Sequence, residues 1–89
     1  MEREVHIEIN GVLDLHPFRP EDLSTLIDEY INVCLEKKIY HIRLIHGKGI
    51  GNIRRSVHSL LERNPHVVSY QLADAGGGSW GATVVTLRD

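Results

Sequence analysis

Apolar and polar positions alternate at the start of the chain, where Val5, Ile7 and Ile9 are separated by His6 and Glu8. That period of two predicts a half-buried strand. Asn10-Gly11 marks a turn, and Val12-Leu13-Asp14-Leu15-His16 extends again until Pro17 and Pro20 break it. Pro20 suits the first turn of a helix, and Glu21 and Asp22 suit its positive end. The period then changes. Leu23, Leu26, Ile27, Tyr30, Ile31 and Cys34 recur every three or four residues, with Lys37 and Lys38 at the close, which predicts a helix over 20–37. His41 to His46 is short and apolar-rich (Ile42, Leu44, Ile45), the pattern of a central parallel strand. After Gly47-Lys48-Gly49-Ile50-Gly51, Asn52 can cap a second helix that carries Ile53, Val57, Leu60 and Leu61 on one face and ends at Asn64-Pro65. Val67 to Ala73 and Ala82 to Leu87 read as a hairpin with a long glycine-rich tip, Ala75 to Gly81.

The sum is an α/β chain of order β-α-β-α-β-β. The first three strands should be parallel, each helix serving as a crossover, and the fourth should run back against its hairpin partner. With 89 residues, of which 42% are hydrophobic, one core is affordable. The expected architecture is a two-layer sandwich: a mixed four-stranded sheet with both helices on one face, a single domain over 1–89 with its core at about 10–88. Cys34 is the single cysteine, so no internal disulfide forms, and its place in an amphipathic pattern marks it as a small buried hydrophobe. Cysteine usage suggests a reducing, cytoplasmic setting. No apolar run approaches the ~18 residues of a membrane span, and Met1-Glu2-Arg3-Glu4 is not a signal peptide, so no membrane partner is expected.

Candidate chemistry gathers at one edge, because ligands of parallel α/β sheets collect beyond the carboxyl ends of the strands. Asp14 and His16 are two apart in extended chain and leave on one face, opposite Leu13 and Leu15. A carboxylate beside an imidazole can orient it as a general acid or base. The same two residues could hold a metal, or simply hydrogen-bond nearby backbone. Gly47-Lys48-Gly49-Ile50-Gly51 before a helix could cradle a phosphate on backbone amides with Lys48 as a mobile cation, or could be only a tight turn. It is not a P-loop, since Gly-Lys-Ser/Thr is absent, nor a dinucleotide fingerprint, since Asn52 stands where a third glycine would be. Arg54 and Arg55 open the second helix beside it and Arg19 follows His16. These cations form a local basic cluster on a chain whose net charge is −2, a balance that otherwise excludes binding by global positive charge. Trp80 in the glycine-rich tip could stack on a base or fold back over the core. His46 could touch phosphate or bridge backbone groups, with the structural role favoured. His6, His41, His58 and His66 read as scattered and solvated. The spacing of the six histidines is not that of a zinc finger.

Taken in order, Leu13-Asp14-Leu15-His16, His46-Gly47-Lys48-Gly49 and Gly77-Gly78-Ser79-Trp80-Gly81-Ala82-Thr83-Val84-Val85 resemble the three motifs of Smr (small MutS-related) domains. Each motif alone is weak, but their order and spacing around two helices cover nearly the whole chain. The likeness is to a free-standing Smr protein rather than to the C-terminal piece of a long MutS paralogue. It implies a sandwich similar to the C-terminal domain of translation initiation factor three. It also implies binding of DNA or RNA and, in many members, endonuclease activity. By the resemblance, Asp14 and His16 fall on the motif implicated in cleavage and Gly47, Lys48 and Gly49 on the substrate loop. Gly78, Gly81 and Thr83 fall on a mostly structural motif. The commonest family pattern has glycine after the motif histidine. Here Pro17 stands there, which stiffens the turn and removes an amide donor, and Arg19 is placed to replace that phosphate attraction.

Three readings of function follow. One is phosphodiester cleavage, with His16 as general acid/base and Asp14 orienting it or helping to hold a divalent metal such as Mg or Mn. Lys48, Arg54 and the loop amides would then stabilise charge on the phosphate. The second is a non-catalytic module recognising branched or single-stranded nucleic acid in repair, recombination or ribosome quality control. A protein-interaction domain is the blander third. An edge strand such as Val5 to Ile9 could pair between copies.

Overall fold

The computed structural model describes residues 7–47, 52–73 and 81–89. Along them run β1 (Val12–Asp14), a 3-10 turn (Pro20–Asp22), α1 (Leu23–Glu36), β2 (His41–Ile45), α2 (Asn52–Glu62), β3 (Val67–Leu72) and β4 (Ala82–Leu87). The strands form one mixed sheet of order β1-β2-β4-β3. β1 lies parallel to β2, while β4 is antiparallel to both β2 and β3. The first three strands therefore share a direction, as expected, but β3 does not touch β2. β4 is inserted between them. It is the strand buried at Ala82, Thr83, Val85 and Leu87, and a strand so covered belongs in the sheet interior.

One buried cluster joins the layers. Leu13, Ile42, Leu44, Val85 and Leu87 come from the sheet, Leu23, Ile27, Tyr30, Ile31 and Cys34 from α1, and Val57 and Leu61 from α2. Burying each such aliphatic side chain contributes about 1.5–3 kcal/mol. Val12 and Asp14 alternate with Leu13, and Arg43 with Ile42 and Leu44, so these polar and exposed positions take the opposite face of the sheet. Both helices thus cover one face. The Cys34 thiol is fully buried, and burial pushes its pKa up, as befits a packing residue. Among the described residues no helix is long and apolar enough to cross a membrane.

Two local differences from the sequence pattern have physical causes. The helix expected over 20–37 begins as a 3-10 turn, in which the Leu23 N–H donates to the Pro20 carbonyl, and becomes α-helical only at Leu23. The strand expected over Val5 to Ile9 has no counterpart among the described residues. Met1–His6 lie outside them, and 7–9 make no ladder although Ile7 and Ile9 pack partly buried against the core. Within the chain, the alternation at 7–9 goes with burial of one side and not with strand pairing.

α1 closes with Ile39 N–H donating to the Cys34 carbonyl and Lys38 N–H to that of Leu35. That closure sets Lys38 at φ 60°, the left-handed region glycine prefers. Lys38→Gly is expected to raise stability by about 0.5–1 kcal/mol, read as a higher denaturant midpoint at unchanged slope.

Candidate functional site

The parallel ladder continues one residue past β1, where Leu15 N–H donates to the Ile45 carbonyl at 2.9 Å. Leu15 stays in the core while Asp14 and His16 leave on the other side. A turn then closes with Phe18 N–H donating to the Leu15 carbonyl. Within it one oxygen of Asp14 accepts twice, from the His16 backbone N–H at 2.9 Å and from His16 Nδ1 at 2.7 Å. The backbone bond first, then the ring bond, hold the Asp14 carboxyl below its usual value against an opposing desolvation, with the neighbouring imidazole adding least. Both side chains are more than half exposed. With Nδ1 committed to the carboxylate, a neutral His16 ring presents a bare Nε2 lone pair to the rim.

That Nε2 sits on Gly47, the first residue beyond His46 at the end of β2. A Cβ built on Gly47 would lie 2.8 Å from His16 Nε2, and Gly47 adopts φ 87°. No other residue fits under this imidazole without displacing it. His16 thus meets Gly47, the described start of the glycine turn, while 48–51 lie outside the described residues. The role of Gly47 differs from the expectation, however. Its amide, like that of His46, donates to the Gly81 carbonyl, at 2.7 and 2.8 Å, and so is not a phosphate donor. His46 is also corrected as a phosphate contact. It is only 7% exposed, with Nδ1 bonded to the Gly47 carbonyl and Nε2 to the Thr83 hydroxyl, both at 2.9 Å.

Arg54 and Arg55 do open α2, with an Arg55 Nη1–H donated to Asn52 Oδ1. Arg19 lies beside Asp22 and Glu21, at 3.5 and 3.6 Å, so part of its charge is answered within the chain. Exposed pairs of this kind are weak and yield to a phosphate. Lys48, Gly49, Gly78 and Trp80 lie outside the described residues. No group of three or more metal-ligating side chains forms among the described residues.

The model of the Smr domain family matches residues 13–88. The chain belongs to the Smr domain family. It is 35% identical over 80 residues to the endonuclease MutS2 of Halothermothrix orenii, covering 90% of this chain and 10% of that protein. It is 43% identical over 76 residues to that of Lactobacillus johnsonii, covering 85% and 10%. The chain thus spans about a tenth of the length of these curated relatives. Its fold superposes on the Smr domain of Thermus thermophilus MutS2 with a TM-score of 0.82 at 30% identity, covering 90% of this chain and 100% of that one. YdaL, a stand-alone small MutS-related protein from Escherichia coli, superposes with a TM-score of 0.77 at 29% identity, covering 89% and 65%.

Two features of this Smr domain escape a reading by sequence. His58, expected in solvent, is half-buried and bonds Thr83 Oγ1 at 2.8 Å while tilting against Tyr70 at 4.9 Å. Its one available signal is helical position, one residue past buried Val57 and three before buried Leu61. The second is a groove of about 390 Å³ between α1 and α2, starting at Pro20 and lined by Ser24, Arg55, Ser56, Ser59 and Arg63 among others. Residues so far apart in sequence meet only when the helices pack.

Gly47→Ala should cost about 1–3 kcal/mol in chemical denaturation and shift the His16 ring resonances, since the new methyl would stand 2.8 Å from Nε2 and push the ring aside. Desolvation first, then His46 and Arg54, lower the His58 pKa from 6.5. The unfolded chain therefore binds a proton that the fold refuses, and stability falls as pH drops below about 6.5 toward the folded pKa. His58→Phe should flatten that limb in thermal unfolding followed across pH.

Proposed function

We propose that this Smr domain binds single-stranded or branched nucleic acid and cleaves its phosphodiester backbone, with His16 as general base and Asp14 as the group that orients it. The observation that carries this reading is the His16 ring itself. Its Nδ1 is held by Asp14 and its Nε2 stands on an exposed rim over Gly47. That is the arrangement by which a carboxylate sets an imidazole's tautomer and aims its basic nitrogen. The relatives that carry the name endonuclease support the same reading.

On RNA the pair meets the demand with its own atoms. Nε2 takes the proton of the 2′-hydroxyl, the 2′-oxygen forms a bond to phosphorus, and the bond to the 5′-oxygen breaks. The leaving oxygen takes a proton from water, and the products are a cyclic phosphate and a free 5′-hydroxyl. On DNA, water replaces the 2′-hydroxyl as nucleophile. Asp14 and His16 are bonded to each other through the atoms that would chelate a divalent ion from one side. Joined in this way, Oδ1 and Nδ1 do not together chelate a shared Mg or Mn ion, and no step here runs through one. Lys48, with Gly49 in its loop, and Arg54 take the charge that grows on the phosphate. Arg19 and Arg55 add backbone attraction, Arg55 leading into the serine-lined groove toward Arg63, and Trp80 stacks on a base.

The test is single-stranded RNA and supercoiled plasmid incubated with the protein, with Mg, Mn or chelator. His16→Ala should slow cleavage by about 10²–10⁴-fold while binding stays within a few-fold. Lys48→Ala should weaken binding and lower the salt slope by about one. Cleavage that survives both Asp14→Ala and His16→Ala would remove the assignment. Binding without cleavage by the unaltered protein would leave the non-catalytic module.

A further inference from the structure

Behind the rim runs a hydrogen-bond chain that the cleavage chemistry does not use. His58 Nε2 and Thr83 Oγ1 are 2.8 Å apart, Thr83 Oγ1 and His46 Nε2 are 2.9 Å apart, and His46 Nδ1 reaches the Gly47 carbonyl at 2.9 Å. Its direction follows from the last link. A carbonyl only accepts, so His46 Nδ1 carries a proton. In a neutral His46 ring, Nε2 then accepts, and the Thr83 hydroxyl must donate to it. Having spent its hydrogen, Thr83 Oγ1 accepts from His58 Nε2–H. Every donor meets an acceptor in one sense, His58 to Thr83 to His46 to Gly47.

The groups around the chain agree with this order. His58 faces His46 edge-on at 6.3 Å from the end of β2, Tyr70 from β3 and Arg54 one turn earlier on α2. The Tyr70 hydroxyl is itself donated to Glu62. Burial first, then His46 and Arg54, push the His58 pKa down, and Thr83 is fully buried. The chain ends on a carbonyl, so it serves orientation and not proton storage. It also ties α2 to the end of β2 through β4.

We propose that His58, Thr83 and His46 are positioning residues, a one-way hydrogen-bond chain that fixes the Gly47 peptide and through it the seat of the His16 imidazole. Gly47 is gripped at both its amide, by Gly81, and its carbonyl, by His46. It bears His16 Nε2 directly on its α-carbon. Rotation of that peptide moves the floor beneath the base. The consequence for rate rests on His16 being the base, whereas the hydrogen-bond chain stands independently of it.

Nitrogen-15 NMR of ring-labelled protein reads the chain directly. His46 is expected in the tautomer protonated at Nδ1 and His58 in the tautomer protonated at Nε2. Thr83→Val removes the hydroxyl at nearly constant shape. It should scramble the His46 tautomer and shift the Gly47 amide and His16 ring signals. It should also lower kcat about 10- to 100-fold with KM nearly unchanged, the pattern of a misplaced catalytic group. Thr83→Ser should restore all four. His58→Phe, which keeps the packing on Tyr70, replaces Thr83→Val if that variant does not fold, and should shift the same Gly47 and His16 signals. His46 protonated at Nε2 alone in the unaltered protein would overturn the inference. So would a folded Thr83→Val or His58→Phe whose Gly47 and His16 signals stay in place. An unaltered protein that does not cleave defeats the cleavage reading, and the NMR signals still decide the chain.

Discussion

The site depends on an imidazole resting on a bare α-carbon. His16 Nε2 lies 2.8 Å from where any other residue at position 47 would place its first side-chain atom, too close for both to stay. That contact exists because the parallel ladder between β1 and β2 runs on through Leu15, so the ends of the two strands finish level with each other. Asp14 and His16 are carried to the open side of the sheet by the same alternation that sends Leu13 and Leu15 into the core. Packing and chemistry are set by one register, and a slip of a single residue would bury the acid–imidazole pair and expose the leucines.

The division of labour in the glycine turn follows from hydrogen bonds already made. An amide committed to Gly81 cannot also greet a phosphate, and a histidine with both ring nitrogens engaged inside the fold cannot either. The described part of the turn is thus a brace, whose polar groups face inward. In a fold of this size such buried polar groups are tolerable because each finds a partner. No buried side-chain nitrogen or oxygen is left without one among the described residues. The described cations lie instead outside the brace, on the opening of α2 and along the groove it shares with α1, and in the proposed function they would meet the polyanion. A chain of net charge −2 can hold a nucleic acid this way, since screening confines attraction to cations within about 8–10 Å of the phosphates.

The order of elements, the extent of β4, the amphipathic stripes of both helices and the burial of Cys34 were legible in the sequence, because periods of two and of 3.6 are local consequences of backbone geometry. So was the same-side exit of Asp14 and His16, which needs only their spacing of two. The place of β4 between β2 and β3 was not, since strand order depends on which face-covered strand competes best for the interior. Nor were the bond of His58 to Thr83, 25 residues away, or the joining of Ser24 with Arg63 in one groove. The alternation at Ile7 and Ile9 marked burial and left pairing open, because pairing needs a neighbour that the pattern does not name. By itself the sequence determined the elements and the chemical kinds of the site residues, as these follow from each residue's own backbone and functional groups. Only the tertiary structure decided which of those groups stay open to solvent and which are used up holding the fold, because a hydrogen bond between distant residues exists only once packing has brought both ends together.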